Sequence, residues 1–447
     1  MATKELTVGS PLRLIIHFAF PIFLGNLFQQ LYNFVDALIV GRTLGVESLA
    51  AVGSTAPYIF LVISFIFAST QGFTVITAQR FGAKDYDNVR KSLVASMILS
   101  AILMVVITLI SAPFTHQLLI FLNTPEAILP QAEKYLFIMF AGIFATVFYN
   151  VSSNIIRALG DSKTPLYFLI FSSVLNVILD LIFILKFHWG VQGAGLATVV
   201  SQLVSTILCI TFMFWKFPIL KLEKNDLKVP ENFLFEHIRV GIPMGIQMSV
   251  LATGMVIMQY VLNGFGTNAV AAFTTSMRVD QLFTQVYLAL GVTMAVYTAQ
   301  NFGAGLMQRI RQGARIAVAL VVGMTVFSII VISLFSENMI SWFMSETNIE
   351  VMALAKEYLH IIMCFFLFLG LLMVYRNILQ GMGRVVTPLM SGIAELVARG
   401  GCAILLGYYF GYTGLCYATP AAWILASIVL YIGYKINLKR NKAKLII

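Results

Sequence analysis

Charge is what this chain has least of. Only 11% of its 447 residues are Asp, Glu, Lys or Arg, about half the fraction expected of a soluble domain, so a water-facing globular fold is excluded over most of the length. Cysteine is almost as scarce. Cys209, Cys364, Cys402 and Cys416 are the four present, all inside apolar runs and without CxxC spacing, which excludes a disulfide framework and a thiolate metal centre. The five histidines (His17, His116, His188, His237 and His360) are scattered near the ends of apolar runs, and none pairs at metal-ligand spacing. A phosphate loop is also missing: GDSKT (160–164) lacks the G-x-x-x-x-G-K spacing, so no ATPase follows. GVQGAG (190–195) has no strand before it, and its glycines read as close helix packing rather than a dinucleotide loop. Nothing here points to an enzyme, a cofactor or a resident metal.

What the chain has instead is length of hydrophobic run. Apolar segments of about 20 residues, each long enough to cross a bilayer as a helix, recur at 12–40, 52–77, 92–112, 131–156, 165–186, 192–215, 238–262, 270–298, 314–335, 351–379, 388–410 and 414–436. The polar start MATKELTVGSPLR and the long run after it do not read as a cleavable signal. The net charge of +10 is explained by its placement and needs no nucleic acid. With both termini in the cytoplasm, nearly all Lys and Arg fall on that side. They include Lys4, Arg13, Arg80, Lys84, Arg90, Lys91, Arg157, Lys163 and Lys216–Arg239, then Arg309, Arg311, Arg315, Arg376, Arg384, Lys435, Lys439, Arg440, Lys442 and Lys444. The outward ends hold only Arg42, Lys134, Lys186 and Lys356. That bias satisfies the positive-inside rule with an even number of spans in a cell membrane.

The two halves are copies. GVESLAAVG (45–53) is echoed by GTNAVAAFT (266–274), AQRFGAKDYDNVRK (78–91) by AQNFGAGLMQRIRQ (299–312), and NIIRALGDSKTP (154–165) by NILQGMGRVVTP (377–388). EKYLFI (133–138) pairs with KEYLHI (356–361), and Pro21 with Pro243. Six spans per copy is an even number, so the repeats are parallel, related by an axis along the membrane normal. The expected architecture is an all-α membrane protein of twelve helices. It has an N-terminal bundle (1–215), a polar cytoplasmic linker (216–236) and a C-terminal bundle (237–447).

Acids inside membrane spans are costly and mark function. Asp36 lies about 6 Å from the outer end of its helix at 1.5 Å per residue. Asp180, Asn176 one turn before it, and Thr198 fall in the same outer layer. Two carboxylates, an amide and a hydroxyl are hard oxygen ligands suited to a small cation, and no base stands at their depth. The C-terminal copy carries Arg278, Asp280, Glu395 and Arg399, which sum to zero and read as a structural ion-pair network. Glu395 and Arg399 are spaced to pair along one helix and are expected to be the counterparts of Asn176 and Asp180. Pro21 is expected to bend its helix and serve as a hinge. Phe28, Gln29, Tyr32, Asn33 and Tyr58, with Met244, Gln247, Met248, Met255 and Met258, form adaptable aromatic and thioether faces suited to varied lipophilic ligands.

Taken in order, PIFLG at 21–25, VDALIVGRTLG at 35–45, LAAVG, AQRFGA, RALGDSKTP and NVILDLIF followed by GVQGAGLAT resemble the MATE (multidrug and toxic compound extrusion) transporters over essentially the whole chain. The resemblance implies two bundles arranged as a V, and a secondary antiporter that exchanges inward Na+ or H+ for outward organic, often cationic, compounds. It also implies coupling at Asp36, Asn176, Asp180 and Thr198. The sodium-coupled branch that carries a carboxylate on helix 7 is departed from, since the aligned segment reads GIQMSVLATG. Expected partners are small organic substrates and the lipid bilayer, with the chain a monomer. Two rival readings make different demands on these residues. A flippase for a lipid-linked or other amphipathic metabolite would need free basic residues at depth. A two-aspartate intramembrane protease would need a GxGD setting that neither acid has.

Overall fold

Fifteen helices follow from these apolar runs, and there is no strand among the described residues. The computed structural model describes residues 5–121, 124–344 and 348–444, without the side chains of Phe121 and of 440–444; of the expected cytoplasmic charges, Lys4 and the side chains of Arg440, Lys442 and Lys444 lie outside it. The N-terminal copy contains α1 (Pro11–Leu44), α2 (Val46–Gly82), α3 (Tyr86–Ser111), α4 (Thr115–Phe121), α5 (Leu129–Ala141), α6 (Ile143–Ala158), α7 (Lys163–Leu181) and α8 (Gly190–Lys216). The C-terminal copy contains α9 (Glu231–Asn263), α10 (Thr267–Gly303), α11 (Met307–Ser341), α12 (Ile349–Met363), α13 (Phe366–Gly381), α14 (Val386–Cys416) and α15 (Ala418–Lys444).

Ten of these helices are long and apolar enough to span a membrane alone. Two bent pairs, α5–α6 (44°) and α12–α13 (50°), bring the number to twelve if each pair is one span. The sequence leads one to expect straight spans there and a bend at Pro21. The structure has the breaks at Gly142 and at Cys364–Phe365, whereas α1 continues as helix through Pro21. The cause at Gly142 is proximity: a Cβ there would lie 2.3 Å from Val199 Cγ2, so α8 backs directly onto the bend.

The repeat extends to backbone conformation. Gly45 and Gly266, which open α2 and α10, both have φ 88, in the region an L side chain avoids. Gly190, which opens α8, and Gly411, which interrupts α14, have φ 59 and 63. Between the shared prolines (Pro165, Pro388) and these glycines, the N-terminal copy has two residues more. A π turn, Ile182–Lys186, follows α7 there and has no equivalent in α14.

The chain packs as two compact units, residues 1–6 with 20–245, and residues 7–19 with 246–447. The division falls nine residues past the start expected for the C-terminal bundle, because 237–245 is bound into the first unit. A Cβ on Gly241 would lie 2.3 Å from the Phe73 ring, and one on Gly245 2.2 Å from Ser69 Oγ. His237 lies 2.6 Å from Ser92 Oγ, and Glu236 pairs with Arg80 at 3.1 Å. In the second unit the start of α1 is held by Arg309, which donates to the Gly9 carbonyl at 3.0 Å. The GDSKT stretch is a helix start: Asp161 accepts from the Lys163 and Thr164 N–H groups at 3.0 and 3.1 Å.

Candidate functional site

Three helices of the first unit meet at the expected acids. Asp36 comes from α1, Asn176 and Asp180 from α7, and Thr198 from α8. Asn176 and Asp180 are fully buried and Thr198 nearly so. Small residues let α8 approach: a Cβ on Gly195 would lie 3.2 Å from Ile138 and 3.3 Å from the Tyr135 ring, and one on Gly193 3.1 Å from Phe183. Asn176 ties α7 to α8. Its amide donates to Asp180 Oδ2 at 2.9 Å and accepts from the Thr198 N–H at 3.1 Å. Thr198 Oγ1 stands 3.3 Å from the Tyr32 hydroxyl, tying α8 back to α1, and donates to Ala194 O at 3.2 Å.

The Asp36 and Asp180 side chains are in hydrogen-bonding contact with one another. Each keeps a buried Oδ1 with no protein partner, and neither forms an ion pair among the described residues. Two carboxylates this close both carry charge only beside a counter-cation, and otherwise share a proton. Tyr32 and Tyr135 are close enough for their hydroxyls to feel these acids. Tyr135, on α5, is absent from the sequence-based set. Its signal was the EKYLFI/KEYLHI repeat, which pairs it with Tyr358.

The C-terminal quartet is rearranged. Glu395 accepts from Arg399 at 2.9 Å, as its spacing implies, and also from Arg376 at 2.7 Å. All three are buried. Arg376, expected at the cytoplasmic end, therefore replaces Arg278, which is exposed and lies over the Phe343 ring. Asp280 is buried with Oδ1 unpartnered. Arg376, Glu395, Arg399 and Asp280 still sum to zero. Counted from the prolines that begin α7 and α14, Arg399 stands opposite Asn176 and Ala403 opposite Asp180. The expected correspondence of Glu395 and Arg399 with Asn176 and Asp180 is one turn out of register.

The expected cavity residues divide. Gln29 and Asn33 share one face of α1, with Gln29 donating to Asn33 at 3.4 Å, and Met255 is exposed with Met248 half-buried. Tyr58, Gln247 and Met244 are instead engaged in packing. The Tyr58 ring meets Phe140 edge-on at 5.2 Å, and its hydroxyl lies 3.2 Å from Ser111 Oγ. Gln247 donates to Pro388 O at 2.7 Å and accepts from Gln380 at 3.0 Å. Met244 is buried in the first unit beside Gly72.

The MatE family model matches residues 21–182 and 243–405, one copy in each repeat. The chain belongs to the MatE family. It is 30% identical over 440 residues to the probable multidrug resistance protein YpnP of Bacillus subtilis (strain 168), covering 97% of both chains. It is 27% identical to the probable multidrug resistance protein YoeA of the same strain, over 99% of this chain and 97% of the relative. Its fold superposes with a TM-score of 0.92, at 25% identity and 99% coverage of both chains, on the outward-facing conformation of a multidrug resistance MATE family transporter. This MatE chain is thus a multi-pass helical membrane transporter, and the paired acids lie within the N-terminal copy that the family model covers.

Proposed function

We propose that the chain is a secondary antiporter that exports organic compounds, cationic and lipophilic, in exchange for Na+ or H+. The observation that carries this reading is the contact between Asp36 and Asp180, two acids on different helices with no base beside them. Arrival of Na+ or H+ removes net charge from the pair and lets α1 and α7 close on one another; departure restores repulsion. Tyr32, bonded to Thr198, makes α1 the element that responds, with Pro21 as its hinge. A change of this kind converts a cation gradient into a choice between two arrangements of one bundle. Gln29, Tyr32 and Asn33 on α1 are assigned to substrate contact.

The two relatives named for multidrug resistance favour organic compounds as cargo. A lipid-linked cargo would call for free arginines at depth, and Arg376 and Arg399 are both engaged by Glu395. The reading places both termini in the cytoplasm, needs no cofactor, and takes the monomer as the working unit. Its test is uptake of a fluorescent organic cation into, and its release from, proteoliposomes under an imposed Na+ gradient or pH gradient, one at a time. One of the two gradients should drive transport in the parent chain and neither in Asp36→Asn. Equal transport by that variant would remove the acid pair from the mechanism.

A further inference from the structure

The second unit contains a basic cleft that the transport reading does not use. It has a volume of about 470 Å³ and lies where α11 begins and α15 ends. Arg311 and Arg315 of α11 and Lys435 and Lys439 of α15 line it, and no acid does. None of these four pairs with a carboxylate among the described residues. Arg311 Nε is buried with no hydrogen-bond partner. The tyrosines on the cleft wall are mutually packed: Tyr375 meets Tyr431 at 5.3 Å and Tyr434 at 5.1 Å. Lys435 Nζ stands 5.2 Å from the Tyr431 ring centroid.

The first unit shows what completes such a place. Arg90, the repeat counterpart of Arg311, donates to Asp226 of the linker at 2.8 Å. Phe217 and Leu220, from the same linker, are fully buried against Met213, Val89 and Leu93. One copy thus closes the position with a carboxylate on the arginine and apolar side chains beside it. The other has four cations with no acid in the lining, beside the half-buried Val318 and the buried Leu438. We propose that this cleft binds the headgroup phosphate of an anionic phospholipid, whose acyl chains take the place that Phe217 and Leu220 fill in the first unit. Arginine and lysine around a phosphate, with tyrosine hydroxyls at the membrane interface, are the chemistry such headgroups select.

The test uses the full chain in neutral detergent, with lipid retention read by native mass spectrometry and affinity by titration against the thermal midpoint. Phosphatidylglycerol should bind and raise the midpoint, at least tenfold more tightly than phosphatidylcholine. Arg315→Gln, Lys435→Gln and Lys439→Gln change exposed side chains and should each weaken phosphatidylglycerol by about fivefold, leaving phosphatidylcholine unchanged. Arg311→Gln should do the same. Lys84→Gln with Arg384→Gln, both exposed and outside the cleft, should have no effect. Equal phosphatidylglycerol affinity in the triple variant and the parent would overturn the proposal. So would the absence of a preference over phosphatidylcholine. Glycerol phosphate binding as tightly as the lipid would overturn the lipid assignment and make the ligand a soluble phosphate ester.

Discussion

The two copies share a backbone and differ in charge. At equivalent positions the first unit has Asp36, Asn176, Asp180 and Thr198, and the second has Met258, Arg399, Ala403 and Thr419. In the second unit, Thr419 donates to the Met258 thioether at 3.4 Å, where Thr198 stands beside the Tyr32 hydroxyl and the Asn176 amide in the first. Tyr32 is matched by Gly254, and a Cβ there would lie 3.5 Å from Arg399 Nη1, so the guanidinium lies beside a position that carries no side chain. Glu395 and two arginines then fix that region permanently. A duplicated bundle can thus specialise by exchanging a few side chains: one copy keeps two acids without an ion pair among the described residues, and the other carries its own counter-charges.

The largest effect should come from breaking the acid side of this comparison. Asp180→Asn should abolish the cation dependence of drug release, because the amide holds no exchangeable charge, while thermal stability stays the same or rises as a buried ionisable group is removed. Arg399→Lys should leave the half-maximal cation concentration near the parent value. If Arg399→Lys shifts it as far as Asp180→Asn does, coupling is not confined to the first unit.

Stability should report the other side. Glu395 serves two arginines, so Glu395→Gln leaves two buried guanidiniums without an anion and should cost about 3–5 kcal/mol, read as a lowered thermal midpoint. Arg399→Gln should cost less, since Arg376 still pairs with Glu395 at 2.7 Å. Equal losses for the two substitutions would show that the triad does not act as a unit.

A smaller asymmetry sits in the loop before α7. Asp161 is partly buried, which raises its proton affinity, but the hydrogen bonds from Lys216 and Thr164 outweigh that and hold its carboxyl below the usual range. Its repeat counterpart is the exposed Arg384. A depressed carboxylate stabilises the fold above its unfolded pKa, about 3.9, and the contribution is lost as pH falls through the folded value. Asp161→Asn should therefore cost about 1–2 kcal/mol near neutral pH, with the gap to the parent closing below about pH 4. Arg384→Gln should be neutral throughout. A gap independent of pH would mean that the capping geometry, not the charge, matters.

Much of this could be read from the sequence, for physical reasons that also mark where reading stopped. Runs of about 20 apolar residues have one structural outcome in a bilayer, so the spans, the repeat and the layer holding Asp36, Asn176, Asp180 and Thr198 were accessible. The bends at Gly142 and Cys364–Phe365 were not, because composition stays apolar across them, and at Gly142 another helix backs onto the bend. Pro21 lies inside a helix that continues from Pro11 to Leu44, since one lost hydrogen bond does not end it. The positive-inside pattern assigns Arg376 to the cytoplasmic side, whereas its side chain is buried against Glu395 at 2.7 Å, a partner 19 residues away that charge placement does not reveal. The register of α14 against α7 comes out one turn off when Asn176 and Asp180 are matched to Glu395 and Arg399 by their shared i,i+4 spacing, an offset of 219, whereas the motif ending in Pro165 and Pro388 sets it at 223. Tyr58 and Gln247 carried polar groups that looked available for substrate, and their partners, Ser111 and Pro388, are distant in sequence.

The smallest expected effect lies in a turn where the copies differ by one residue. Lys84 follows α2 with φ 59, and Gly305 follows α10 with φ 73. The left-handed region costs an L residue roughly 1–2 kcal/mol and glycine nothing, so the first copy carries strain that the second lacks. The ion pair of Lys84 with Glu5 spans 3.8 Å between exposed groups and offsets little of it. Lys84→Gly should therefore stabilise the fold by about 0.5–1 kcal/mol, the part left after the added freedom of the unfolded glycine is subtracted. Gly305→Lys should cost a similar amount, because nothing lies within 4 Å of its Cβ position and only the backbone angle opposes it. Thermal midpoints of the two variants measured together decide the matter. A shift of the same sign in both would mean that the side chains, rather than the shared backbone of the repeat, set the stability of these turns.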